Sequence, residues 1–330
     1  MVAGAIAFAA MFPAAGAAQS IDQLRELLRE RASDLGIGEA VQGLTAFSAL
    51  PGVSAARFTI DQDVDGASDA KATKFVLPLS YDIAAFGVEG LDLHTEVTVG
   101  YMTVDQSFDD LFSGTSLECD VDMRTRSLSA IGGVGLGYAV SRHTTIRPVA
   151  LFGYTRIEQD ADFSGAGADL TDALTEGFLF NYKVNQALAG AAVEVADSRS
   201  LADDLRWKGS VRYNHVYGYA FDASDTVLDT NSDFGVLTVL AELAELAELD
   251  GPTGISTFGR ELRWIGFAGH SNFPGDSSRS FDFSYFFELG GGFEVVDRSV
   301  VDGVEGLSLR ASGIAGDGIY GWNVGLKLAF

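Results

Sequence analysis

The 330-residue chain carries 46 acidic and 22 basic residues, a net charge of −24 that argues against nucleic acid as a partner, because phosphate binding needs clustered Lys and Arg. A single cysteine, Cys119, excludes a disulfide framework and a cysteine-based metal site, and no phosphate loop, His-Glu-x-x-His or zinc spacing implies a cofactor. Glycine is abundant at 39 residues, proline scarce at 6, and the mean hydropathy of +0.16 goes with no run of about 18 apolar residues past the first segment, which excludes a helical membrane protein but not a barrel.

Residues Val2 to Ala18 are almost wholly small or apolar and end Ala14-Ala15-Gly16-Ala17-Ala18. Small residues at the −3 and −1 positions are what a signal peptidase reads, so 1–18 is expected to be a signal peptide cleaved after Ala17 or Ala18, with a membrane anchor as the alternative. The basic n-region of such peptides is missing. Segment 19–45 reads as one amphipathic helix and a linker. Ser20 and Gln23 form a capping-box pattern, Ile21, Leu24, Leu27, Leu28 and Leu35 recur at helical spacing, and Gly36 is a natural stop.

From about Val53 the period changes to two. Phe75, Leu77, Leu79 and Tyr81 alternate with Lys74, Val76, Pro78 and Ser80; Leu128, Ala130, Val134, Leu136 and Tyr138 alternate with Ser127, Ser129, Gly133, Gly135 and Gly137. Twelve strands are expected near 53–60, 71–83, 91–104, 122–140, 144–157, 180–196, 204–221, 234–248, 255–269, 279–296, 305–313 and 319–330. The eighth contains the Leu-Ala-Glu repeat of Leu240 to Glu248, whose helix propensity also fits a helical insertion. Alternation alone also fits a soluble sandwich. Three features favour a transmembrane antiparallel β-barrel over 46–330. Several segments exceed the usual ~5–6 residues and reach the ~9–11 of a membrane strand. The minority face is glycine, serine and charge, suited to a polar lumen. Tyr101, Tyr138, Tyr154, Trp207, Trp264 and Trp322 stand near segment ends, where aromatic girdles belong.

If the first strand rises from the periplasm, the odd-numbered links 61–70, 105–121, 158–179, 222–233, 270–278 and 314–318 face outward, and they are mostly longer and more acidic than the even-numbered ones. Divalent cations are candidate partners of these acidic external loops. Asp61, Asp63 and Asp65 alternate as in a calcium loop, but Ala72 stands where the bidentate Glu belongs, which reads as a solvated acidic loop.

The chain ends in a strand with Tyr320, Trp322, Val324, Leu326, Leu328 and Phe330 on one face. A terminal aromatic preceded by alternating apolar residues looks like the signal by which outer-membrane proteins reach the barrel assembly machinery. With one helix ahead of about twelve strands, the chain resembles the translocator barrels of autotransporters, and more narrowly the solitary autotransporter-like barrels without a passenger domain. The resemblance implies residence in a Gram-negative outer membrane, contact with its lipid and lipopolysaccharide, and a helix over Ser20 to Leu35 threading the lumen. A periplasmic helix packed on the rim is the alternative. The resemblance rests on architecture and the last strand, and only a signal peptide stands where a secreted passenger would precede the helix.

Alternation places His94, Glu96, Arg206, Lys208, Arg212, Asp282 and Glu288 on the lumen face. They would line a pore, hold the plug helix, or fill a closed lumen with mutually satisfied pairs. Arg260 and Glu261 cannot both point inward in a regular strand, so one of them implies a bulge or an error of register. A structural or weakly pore-forming barrel is the expected function, with a small solute channel as the alternative and no enzyme activity. An outer-membrane hydrolase would need a His, a nucleophile and an acidic partner at one rim. His215 and His270, the latter beside Ser271 and Asn272, stand near the outer rim, whereas His143 falls in a periplasmic turn.

Overall fold

The computed structural model describes residues 55–329 apart from 62–67, 85–86, 112–113, 115–116, 178, 203–204, 224–231, 248–260, 275–282 and 297–305. The expected signal peptide, the helix over Ser20 to Leu35, Arg260, Asp282 and Phe330 lie outside these residues.

Twelve strands follow one another: β1 (Ala55–Ile60), β2 (Ala70–Ala84), β3 (Leu91–Leu111), β4 (Cys119–Ala139), β5 (Thr144–Ser164), β6 (Lys183–Ser200), β7 (Leu205–Ala223), β8 (Ser232–Ala247), β9 (Glu261–Asn272), β10 (Tyr285–Val296), β11 (Gly306–Gly316) and β12 (Ile319–Ala329). Each pairs antiparallel with its neighbours in sequence, and β12 returns to β1 with Asn323 opposite Ala56, so the sheet closes and presents no free edge. The Leu-Ala-Glu repeat is a strand, paired to β7 and β9: neighbours on both sides satisfy its backbone and override the local helix propensity. β11 turns into β12 in Asp317 and Gly318 alone. Gly318 takes a positive φ of 67°, which the tight turn requires.

Side chains segregate by parity. Outward stand Phe75, Leu77, Tyr81, Val99, Tyr101, Leu128, Tyr138, Phe152, Tyr154, Tyr219, Phe293, Trp322 and Leu326, all among the exposed large hydrophobics. Inward and buried stand Lys74, His94, Ser127, Ser129, Thr155, Gln186, Asn214 and Asn323. This inverts a water-soluble protein, where such an apolar belt would be buried. A belt running from Leu128 to Tyr138 on β4 matches the ~9–11 residues that cross hydrocarbon.

The lumen is less polar than the sequence suggests. Phe58, Met102, Phe273, Phe283, Phe286, Ile314 and Ile319 form an inner apolar cluster, with Phe273 and Phe283 edge to face at 5.3 Å. The interior wall of a twelve-stranded ring curves inward, so bulky side chains there meet one another and exclude water as in a core.

β3, β4 and β5 also run past the belt, where the lipid-side positions turn to charge. The link after β5 holds a helix absent from the sequence expectations, α1 (Ala168–Thr175). Its residues Thr171, Leu174 and Thr175 are buried, and Thr171 Oγ1 donates to the Leu117 carbonyl at 2.9 Å. Eight residues inside an acidic loop are too few to announce a helix by periodicity. Beside it Cys119, Val121 and Ala161 pack with Phe108, Phe163 and Phe180.

Candidate functional site

Two polar clusters occupy the lumen. The larger joins six ionisable side chains from β2, β3, β5, β6 and β7 in a closed circuit. His94 Nδ1 lies 2.6 Å from Asp82 Oδ1, and His94 Nε2 lies 3.0 Å from Glu96 Oε2. Arg212 donates to Glu96 through Nη2 at 2.5 Å and Nη1 at 2.8 Å, and through Nη1 to Glu194 at 3.4 Å. Arg147 closes the circuit, donating to Glu194 at 2.9 Å and to Asp82 at 3.0 Å. Carboxylates thus alternate with guanidinium or imidazole groups all the way round, and every neighbour pair is attractive when His94 carries a proton on both ring nitrogens, each of which faces a carboxylate.

The local sequence makes this possible at β4. Its inward positions here are Gly133, Gly135 and Gly137, and the side chains of Glu96 and Arg147 lie over this bare stretch. A Cβ at Gly133 would come within 2.6 Å of Glu96 Cγ, and one at Gly135 within 2.3 Å of the Pro148 carbonyl oxygen. One glycine-lined strand therefore seats side chains from the strands on either side of it.

The second cluster lies on β2, β10, β11 and β12. Glu288 accepts from Ser312 Oγ and from Asn323 Nδ2, the latter at 2.9 Å, while the buried Lys74 approaches it across small Ala56. Arg263 and Glu294 stand directly opposite each other on β9 and β10, both buried. Arg310 lies over the Phe267 ring at 5.8 Å.

His94, Glu96 and Arg212 are thus brought together, and Glu288 belongs to the separate second cluster. Arg206 and Lys208 share the parity of Arg212 but lie toward the far end of β7, opposite Ser200 and Ser198, and Lys208 is exposed. Asp82, Arg147, Glu194 and Lys74 complete the clusters and were not singled out from sequence. Each sits on a segment whose inward parity was readable, but the strand-to-strand register that joins Asp82 to His94 and Glu194 to both arginines was not.

The histidines of the hydrolase alternative lie on the outward face or in a turn. His270 faces outward with its ring tilted against Phe287 at 4.6 Å, while the neighbouring Ser271 has the opposite parity. His215 is also outward, stacked on Tyr213. Exposed His143 stands in the β4–β5 turn. Among the described residues no group of three or more His, Cys, Asp or Glu side chains is arranged to hold a metal ion. Tyr182, just before β6, is fully buried; its hydroxyl finds no hydrogen-bond partner among the described residues, and burial pushes its phenol well up. Of the expected assembly signal, Tyr320, Trp322 and Leu326 point outward and are exposed, and Leu328 continues β12 opposite Leu307.

A closed antiparallel ring with an apolar exterior and an interior holding buried polar and charged groups defines a transmembrane β-barrel of the outer-membrane type. No protein-family model matches the chain, and no curated protein does. Among solved structures it is similar to the β domain of the Bordetella autotransporter BrkA, at 14% identity and a TM-score of 0.50, covering 84% of this chain and 96% of that one. It is likewise similar to the transport unit of the autotransporter AIDA-I from Escherichia coli, at 11% identity and a TM-score of 0.52, covering 90% and 98%. The chain has the fold of the autotransporter translocator barrels.

Proposed function

We propose that the chain resides in the outer membrane of a Gram-negative bacterium as an autotransporter-like barrel whose lumen is closed by its own side chains, with a structural role rather than that of an open solute pore. The observation that carries this reading is the six-membered charge circuit, in which Arg212 and Glu96 are each only 12% exposed in their side chains. A wide aqueous channel would leave such groups hydrated. The inner apolar cluster around Phe58, Phe273 and Phe286 adds a water-excluding layer. Export by the N-terminal signal and delivery by the outward row of β12 to the barrel assembly machinery belong to the same reading.

Conductance across planar bilayers tests it. The wild-type barrel is expected to conduct little, and Arg212→Met combined with Glu96→Gln to conduct more. Deleting residues 20–36 is expected to leave conductance unchanged. A jump on that deletion would instead make the N-terminal helix the plug. Steady porin-like conductance of the intact protein would favour the solute-channel alternative and end this reading.

A further inference from the structure

We propose that the outward face of β4, β5 and the start of β6 holds a binding site for the phosphate groups of the outer-leaflet glycolipid, lipopolysaccharide. The proposal rests on the outer-membrane reading above and adds a specific ligand to it. The apolar belt fixes where a headgroup must lie. On β4 the belt ends at Leu128, and the next two outward positions are Arg126 and Arg124; on β5 it ends at Tyr154, and the next is Arg156. Lys183 opens β6 directly opposite Glu158, two positions beyond Arg156. Four cations thus stand on three adjacent strands immediately past the hydrocarbon border, in a chain with only 22 basic residues against 46 acidic.

These cations pair with exposed or half-exposed carboxylates. Arg124 pairs with Asp105 at 2.5 Å, Arg126 with Asp160 at 3.1 Å, Lys183 with Glu158 at 4.0 Å, and Arg156 also with Glu158. These pairs are solvent-facing, with Arg124 57% and Lys183 63% exposed in their side chains. Exposed pairs of this kind are held by little free energy, and a guanidinium has five donors of which each pair uses one or two. A phosphate, with more charge than one carboxylate and three acceptor oxygens, is matched to several arginines at once. Tyr101 and Tyr154 line the border just beneath, as aromatic rings do at the headgroup level. At the opposite end of the same strands the outward face and turns offer Arg142 and Arg199, and Arg199 donates two bonds to Asp197 at 2.7 and 3.0 Å. The asymmetry fits a bilayer whose net anionic charge is concentrated in one leaflet.

The test is thermal unfolding of the purified, detergent-folded barrel with added lipid A. Diphosphoryl lipid A is expected to raise the midpoint above that with dephosphorylated lipid A, and millimolar inorganic pyrophosphate to do nothing. The triple variant Arg124→Gln, Arg126→Gln, Arg156→Gln should bind diphosphoryl lipid A roughly a hundredfold more weakly, about fivefold per arginine. Arg199→Gln at the other rim should bind as wild type. Equal midpoints with the two lipids, an effect of pyrophosphate matching that of the lipid, or a triple variant that binds unchanged would each overturn the proposal. If the variant does not fold, the two-lipid comparison on wild type decides. A chain that stays folded in water without detergent would refute the membrane reading itself, whereas an embedded barrel indifferent to phosphate refutes only this site.

Discussion

Replacing Arg212 by methionine keeps the length of the side chain and removes the charge that joins the two halves of the lumen circuit. Wild-type Arg212 holds Glu96 by bonds of 2.5 and 2.8 Å and Glu194 by one of 3.4 Å. The change leaves two carboxylates whose side chains are 12% and 17% exposed. Breaking a buried ion pair from one side typically costs about 3–5 kcal/mol, because the orphaned charge stays out of water. Glu96 keeps His94 and Glu194 keeps Arg147, so the lower end applies, about 3 kcal/mol. Adding Glu96→Gln removes one of the orphaned charges. The double variant is expected to be less destabilised than the sum of the two singles, with a coupling of roughly 1–2 kcal/mol. Urea unfolding in detergent micelles, read by the mobility difference between folded and unfolded barrel, measures both quantities. Stability of Arg212→Met within about 0.5 kcal/mol of wild type, or strict additivity in the double variant, would show that water already screens the circuit and would remove the basis for a closed lumen.

Gly135→Ala is expected to destabilise by about 1–3 kcal/mol, since its Cβ would sit 2.3 Å from the Pro148 carbonyl oxygen, whereas Gly137→Ala, with its nearest contact at 3.6 Å, is expected to be tolerated; the same urea assay separates them. Tyr182→Phe is expected to be neutral or stabilising by up to about 1 kcal/mol, because it removes a buried hydroxyl with no partner among the described residues, and a loss of stability would mean the hydroxyl is bonded in solution.

Much of the barrel was legible because a strand records its environment in alternate residues. Phe75, Leu77, Leu79 and Tyr81 announced the lipid side of β2 without reference to anything distant. The Leu-Ala-Glu repeat of β8 was ambiguous in sequence, since its propensity is local and its strand pairing is not. α1 was invisible for a related reason: its buried Thr171 looks like a loop residue until the Leu117 carbonyl is placed beside it.

The sequence by itself determined which face of each clear strand is apolar, because that depends on the order of polar and apolar residues along one segment; the strand number waited on the pairing of β8. It also put His94, Glu96 and Arg212 on the inward face. Only the tertiary structure decided which inward groups meet. Asp82, Arg147 and Glu194 join that circuit because register and closure bring β2, β5, β6 and β7 around one lumen, and because β4 offers glycine where any larger residue would block the way. Contacts of that kind are set by the pairing of segments up to 116 residues apart, as between Glu96 and Arg212, and no periodicity within one segment encodes them.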